Sequence, residues 1–173
     1  RALELARLII LQYSPNITSG PENMISILFD MNKLWEDYVL RVLKETSPEG
    51  VKVLGKRSKP FWGNNRLEPD IVLEKNNEVY IIDTKWKKPE KKAAIEDLRQ
   101  VYAYGRYWKS KKVMLLYPGN KTFEIAEFQD NNSDKIIGYR SFVSVFSKEN
   151  GENKLNKKMG KEIFDMFLNI SKK

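Results

Sequence analysis

Glu68-Pro69-Asp70-Ile71-Val72-Leu73-Glu74-Lys75-Asn76-Asn77-Glu78-Val79-Tyr80-Ile81-Ile82-Asp83-Thr84-Lys85 is the stretch that decides the fold. Two short runs rich in β-branched residues, 70–74 and 79–85, flank a polar segment. Asn tolerates the positive φ that a tight turn demands, so the pattern predicts a β-hairpin. A turn on Asn76-Asn77 sets Asp70 directly across from Asp83. Opposed residues share a face, and so do residues two apart on one strand. Asp70, Asp83 and Lys85 should therefore converge at the open end of the hairpin, with Ile71, Leu73, Tyr80 and Ile82 on the other face.

Two opposed carboxylates repel each other unless a compensating charge is present or one of them holds a proton. A divalent cation resolves the conflict. Mg²⁺ takes oxygen ligands and keeps waters, so Asp70, Asp83 and a main-chain carbonyl, that of Thr84, make an incomplete shell with room for a phosphate oxygen. Such an ion polarises the phosphate and lowers the pKa of a bound water. Lys85 could orient that water or stabilise the charge that develops on phosphorus. The bland alternative stays open beside it: a hairpin with solvated polar ends, Lys85 pairing with either Asp. An acid two residues before a lysine also occurs at Glu90-Lys91-Lys92 and Glu152-Asn153-Lys154, but only Asp83-Thr84-Lys85 closes an apolar strand. Pro69-Asp70 is the sole Pro-Asp pair and opens the partner strand.

Composition narrows the chemistry from the other side. The 173 residues contain no histidine and no cysteine, which excludes a Ser-His-Asp triad, a Cys nucleophile, a Cys/His zinc site and a disulfide. Carboxylates, lysines, hydroxyls and a hard cation remain. A net charge of +8 favours polyanions as partners, nucleic acid before anionic membrane. With 41% apolar residues the chain can bury a real core as one domain. No apolar run is long enough to span a bilayer and no secretory pattern is visible, so a cytoplasmic location is expected. The first residue, Arg1, already lies in a helix-like pattern, which reads as a fragment of a longer chain.

Around the hairpin, residues 2–13 read as a helix followed by a loop. Asp30 is placed to cap a second helix with Met31, Leu34, Trp35, Tyr38, Val39 and Val42 on its apolar stripe. A strand is expected over 51–54 and a loop over 57–66. After a lysine-rich loop comes a helix over 93–108 with Ile95, Leu98, Tyr102 and Gly105 on one face. Strands are expected at 112–117, 122–128 and 136–146, then a helix at 161–170. The order predicts an α/β fold, a mixed sheet flanked by helices. Its parts are an N-terminal helix and loop (1–28), a core (29–147) and a C-terminal helix (148–173).

Pro69-Asp70, followed at hairpin distance by Asp83-Thr84-Lys85, resembles the PD-(D/E)xK nuclease superfamily. Gln100 and Tyr104 match the Q-x-x-x-Y arrangement of its RecB-like branch. The wider string, Phe29-Asp30-Met31-Asn32-Lys33-Leu34-Trp35-Glu36, Glu68 to Leu73, Ile81 to Lys87 and Asp97-Leu98-Arg99-Gln100-Val101-Tyr102-Ala103-Tyr104, is similar to the nuclease region of the McrC family, the cleavage subunits of McrBC-type restriction systems. The resemblance covers 29–108. It implies a restriction-endonuclease-like fold, Asp70 and Asp83 as metal ligands, Lys85 as the catalytic lysine and Mg²⁺ as cofactor, with Mn²⁺ as substitute. It also implies double-stranded DNA as substrate and an AAA+ GTPase motor of the McrB type as partner. By the same resemblance, McrC proteins contact that motor through an N-terminal region, which is expected to lie outside this sequence. Two rivals stay open: a catalytically silent nucleic-acid-binding or assembly module of the same fold, and a stand-alone repair-type nuclease.

The same resemblance offers Glu36 as a further metal ligand. It sits at the edge of its helix's apolar stripe, where a solvated Glu would also sit. Gln100 and Tyr104 share a helix face and would lie near the DNA backbone, although a tyrosine packed on the sheet fits Tyr104 as well. Lys87, Lys88, Lys91 and Lys92, next to the site, could track phosphates. Trp62 could touch DNA, but with four Trp in the chain it is expected to pack. Glu68 could be an accessory ligand, but its place before Pro69 reads as a loop residue, and the lysines at 154, 157, 158 and 161 are expected to form a solvated face.

Overall fold

The computed structural model describes residues 30–87, 92–130, 133–149 and 151–168; the helix expected over 2–13 lies outside them. Strands β4 (Ile71–Lys75) and β5 (Glu78–Thr84) form the expected hairpin. Asn76 and Asn77 both adopt positive φ, 51° and 61°, the pairing that a type I′ turn requires. Ile71 lies opposite Ile82 and Leu73 opposite Tyr80. That is the register that carries Asp70 toward Asp83.

The hairpin is the nucleus of a six-stranded mixed sheet. It joins β1 (Val51–Gly55), β6 (Lys112–Pro118), β8 (Ile137–Val143) and β7 (Thr122–Glu127) in the order β1-β4-β5-β6-β8-β7. The β5-β6 and β6-β8 pairs are parallel and the others antiparallel. Alternation sorts the side chains. Ile71, Leu73, Tyr80, Ile82, Met114 and Leu116 pack under helices α1 (Met31–Glu45) and α3 (Met159–Leu168). Val72, Ile81, Val113, Leu115 and Tyr117 pack under α2 (Ile95–Trp108), the crossover between parallel β5 and β6.

Asp30 caps α1, its Oδ1 accepting from Asn32 N at 3.0 Å and Lys33 N at 3.3 Å. The buried face of α1 is Trp35, Val39 and Leu43, whereas Met31 and Leu34 are exposed. The stripe is thus rotated from the expected one toward Leu43, which draws Glu36 inward. The N-terminus of α3 meets the end of α1 so closely that a Cβ on Gly160 would stand 1.9 Å from Thr46 Oγ1. Only glycine permits that crossing.

Four expectations are corrected. The loop over 57–66 is a second hairpin, β2 (Lys59–Trp62) with β3 (Asn65–Leu67). The strand over 136–146 breaks after Val143, and the chain re-enters extended structure as β9 (Phe146–Glu149), paired with β10 (Glu152–Leu155). The segment after 147 therefore begins with strand rather than helix. Asn156 fixes this break, its amide bonding Val145 O at 2.8 Å and its side chain Ser144 O at 3.1 Å. The inward face of α2 is Asp97, Val101, Tyr104, Gly105 and Trp108, while Ile95 is 53% exposed.

Candidate active site

The site lies where β5 ends, beside its parallel neighbour β6. The ladder carries on for one residue past the strand, with Lys85 N donating to Leu116 O at 2.9 Å. Open α/β sheets bind ligands at the carboxyl ends of their strands. Asp70 stands just before β4, and its backbone carbonyl accepts from Lys56 N at 3.0 Å. One of its carboxylate oxygens, Oδ2, accepts from Thr84 N at 2.7 Å and Thr84 Oγ1 at 2.9 Å. The carboxylate is thereby fixed in orientation.

Asp83 is 2% exposed. Its Oδ2 meets Lys85 Nζ at 2.6 Å as an ion pair, yet this buried oxygen has no well-aligned hydrogen bond. Burial first, then repulsion from Asp70, pushes its carboxyl up to about 7 against the opposing pull of Lys85. Burial alone would lower Lys85, but Asp83, Asp97 and Asp70 outweigh it and raise the ammonium above its ordinary value.

A polar chain runs from Lys85 across α2. Lys85 Nζ donates to Gln100 Oε1 at 2.9 Å, Gln100 Nε2 donates to Tyr104 OH at 2.8 Å, and Tyr104 OH donates to Glu68 O at 3.2 Å. Each donor finds an acceptor, so the order of the chain is self-consistent. It links the lysine at one end to the loop entering Asp70 at the other. Tyr104 is 5% exposed and packs on the sheet while holding this bond, so the two roles open for it coincide.

Asp97 is the residue that sequence reasoning passed over. It is 8% exposed and stands 3.9 Å from Lys85 Nζ and 2.5 Å from Lys87 Nζ. The signal was available: Asp97, Gln100 and Tyr104 recur at i, i+3 and i+7, one helix face. An acid in a helix's first turn has an ordinary explanation, complementing the helix dipole, and that reading hides it.

Glu36 arrives from the opposite face of the sheet. Its side chain is 12% exposed and pairs with Lys56 at 3.0 Å. Burial, with Asp70 adding to it and Lys56 opposing, raises its pKa. Lys87 is tied to Asp97 and Lys92 is exposed, whereas Lys88 and Lys91 lie outside the described residues. Glu68 takes part through its backbone carbonyl, with its side chain exposed. Trp62 does not pack: it is 76% exposed.

Among the described residues, no group of three or more acidic side chains converges closely enough to hold a metal. The donor set near β5 is two carboxylates, with Glu36 a third carboxylate behind Lys56. Also among the described residues, no helix is long and apolar enough to cross a membrane.

Comparison with known proteins agrees with this architecture. A chain of the tetradecameric assembly of Thermococcus gammatolerans McrB AAA+ hexamers with bound McrC matches with a TM-score of 0.59 at 21% identity. The match covers 80% of this chain and 34% of that one, so the sequence spans about a third of its relative's length. A crystal structure of a protein of unknown function matches at a TM-score of 0.35 and 20% identity, covering 48% of this chain and 45% of that one. No curated protein matches. The family model described as McrBC 5-methylcytosine restriction system component matches residues 1–118. The chain belongs to that family, and its sheet, with α1 and α3 on one face and α2 on the other, is the fold of an McrC-type subunit.

Proposed function

We propose that this chain is a metal-dependent endonuclease that hydrolyses phosphodiester bonds of double-stranded DNA, acting with an AAA+ GTPase motor of the McrB type. The observation that carries the reading is the meeting of Asp70 and a fully buried Asp83 at one strand end with Lys85 against them. A buried carboxylate facing a second, half-buried one is costly to keep for structural reasons alone.

The residues fit a hard divalent cation, Mg²⁺ or Mn²⁺. Asp83 presents a buried oxygen without an aligned hydrogen bond, Asp70 has a free second oxygen position beyond Thr84, and all the donors are oxygen. Asp70, Asp83 and the Thr84 carbonyl would hold the ion, with Glu36 reaching it if Lys56 lets go. When bound, the ion neutralises the pair, polarises a phosphate oxygen and acidifies water. In the hydrolysis, a water oxygen bonds to phosphorus and gives up a proton to solvent, while the bond from phosphorus to a sugar oxygen breaks and that oxygen takes a proton from solvent to leave as a hydroxyl. Gln100 and Asp97 hold Lys85 in place, and its ammonium faces the negative charge that gathers on the phosphate. Lys87 and Lys92, with Lys88 and Lys91, add charge for the DNA backbone.

Asp83→Ala in the full assembly, with motor, GTP and Mg²⁺, should abolish cleavage while the far-ultraviolet circular dichroism stays that of the wild type. Cleavage at the wild-type rate would refute the nuclease reading. The silent-module reading has one observation in its favour, the Lys85 ammonium at 2.6 Å from Asp83. Calorimetric titration with Mn²⁺ separates the two: a catalytic site binds the ion and loses it in Asp70→Ala, and a silent one gives no heat in either protein.

A further inference from the structure

The β2-β3 hairpin is an excursion from the sheet that begins and ends at the site. Gly55 and Ile71 are register partners in β1 and β4. The chain leaves at Lys56, whose amide bonds Asp70 O at 3.0 Å, and returns at Asp70 itself. Between them, Arg57, Lys59 and Arg66 are basic and no residue from 57 to 67 is acidic. The pairing shifts by a residue between Pro60 and Trp62, a bulge that re-aims the strand. Gly63, at φ 54°, turns it immediately afterwards. Trp62 consequently stands out in solvent at the tip, 76% exposed.

This hairpin is braced. Tyr107 OH donates to Pro60 O, and the Phe61 ring meets the Tyr107 ring edge-on at 5.9 Å. Lys59 Nζ lies 4.5 Å from the centre of the Trp108 ring. Arg66 donates to Ser58 Oγ at 2.6 Å and to Ser58 O at 3.1 Å. A rigid arm with its largest apolar group presented to water and cations along its sides matches an aromatic platform flanked by phosphate contacts.

We infer that the β2-β3 hairpin is a DNA-gripping arm: its braces on Tyr107 and Trp108 set it toward the end of α2 away from Asp70 and Asp83, where Trp62 stacks on or wedges between bases of the bound duplex at a distance from the cut, while Arg57 and Lys59 hold phosphates there. The inference rests on the nuclease reading above and names how the substrate is held. Charge decides for DNA over a protein partner, because every ionised side chain on the arm is cationic.

The test is binding of a short duplex to the full-length protein in EDTA, where nothing is cut, measured by fluorescence anisotropy across a salt series. Trp62→Ala should bind about tenfold more weakly with the salt slope unchanged, since stacking is not a counterion effect. Trp62→Phe should restore most of the affinity. Arg57→Ala should instead reduce the slope by about one. Trp62 is exposed, so thermal unfolding of Trp62→Ala should match the wild type. Wild-type affinity in both Trp62→Ala and Arg57→Ala would overturn the inference, and so would wild-type DNA affinity in Trp62→Ala with loss of assembly on the motor. The two readings fail separately, because cleavage of the duplex by the wild-type assembly with motor, GTP and Mg²⁺ reports on the site, whereas the EDTA affinities of Trp62→Ala and Arg57→Ala report on the arm. Failure of the arm leaves that result intact, and failure of the nuclease reading leaves the EDTA binding data intact.

Discussion

The two ends of the β4-β5 hairpin share one register and opposite physics. At the turn end, Asn76 and Asn77 take the positive φ that suits their side chains, and the turn is exposed. At the open end, Asp83 is buried against Asp70, with its pKa pushed up to about 7 by burial and then by that neighbour. The turn end obeys every local preference. The open end violates one, and a violation held in place by Thr84, Lys85 and α2 is where chemistry is to be sought. Residues at one end should therefore govern cleavage, and residues at the other only folding.

The sharpest break comes from Lys85→Ala, which should lower cleavage by about 10²–10³-fold, the range for losing a group that stabilises developing charge. A steady-state cleavage assay in the assembled complex measures it. A change of less than twofold would erase the distinction between the ends. Next in size is pH. Asp83 has an ordinary value of 3.8 and a folded value of about 7. The folded protein thus keeps a proton that the unfolded chain releases across that window. The contribution of Asp83 to the stability of the metal-free protein should be fully present below that window, fall as pH rises through it and be lost above about 7, by at most about 4 kcal/mol. Urea unfolding at stepped pH tests the sign. Asp83→Asn should flatten the curve and leave the protein more stable than the wild type at pH 8 by about 1–2 kcal/mol, although it cannot cleave.

Asp97→Asn should reduce cleavage about tenfold, because Lys85 and Lys87 lose a charged partner while the helix remains. Asp97→Glu should recover part of the rate and Asp97→Asn should shift the pH-rate profile, two readouts that a purely structural residue would not move. The smallest effect belongs to the turn. Asn77→Ala should cost about 1–2 kcal/mol of stability, the penalty for a Cβ in the left-handed region, without changing the cleavage rate of folded protein.

What the sequence made legible follows the same division. Local rules found the hairpin, its register and the Asp30 cap, since each depends on residues a few positions apart. They also brought Asp70, Asp83 and Lys85 together, because strand alternation converts sequence spacing into geometry. They failed where tertiary contacts decide. Residues 57–66 lack an apolar alternation, and their hairpin is held from outside by Tyr107 and Trp108. The α2 face was misjudged because Ile95 looks like core and Asp97 looks like solvent. The two exchange roles once Lys85 and Lys87 approach from the sheet. With four Trp in the chain, composition favours packing over DNA contact for Trp62, and nothing local signals the bulge that turns it outward.

The excursion between Gly55 and Ile71 has one more consequence. Because its two ends are register partners in adjacent strands, residues can be added to it, removed or exchanged without shifting β4, and so without displacing Asp70. The site is built with a graft point beside it. On the proposed role of the arm, substitutions or insertions there would retune affinity for DNA while Asp70 and Asp83 stay where the sheet holds them.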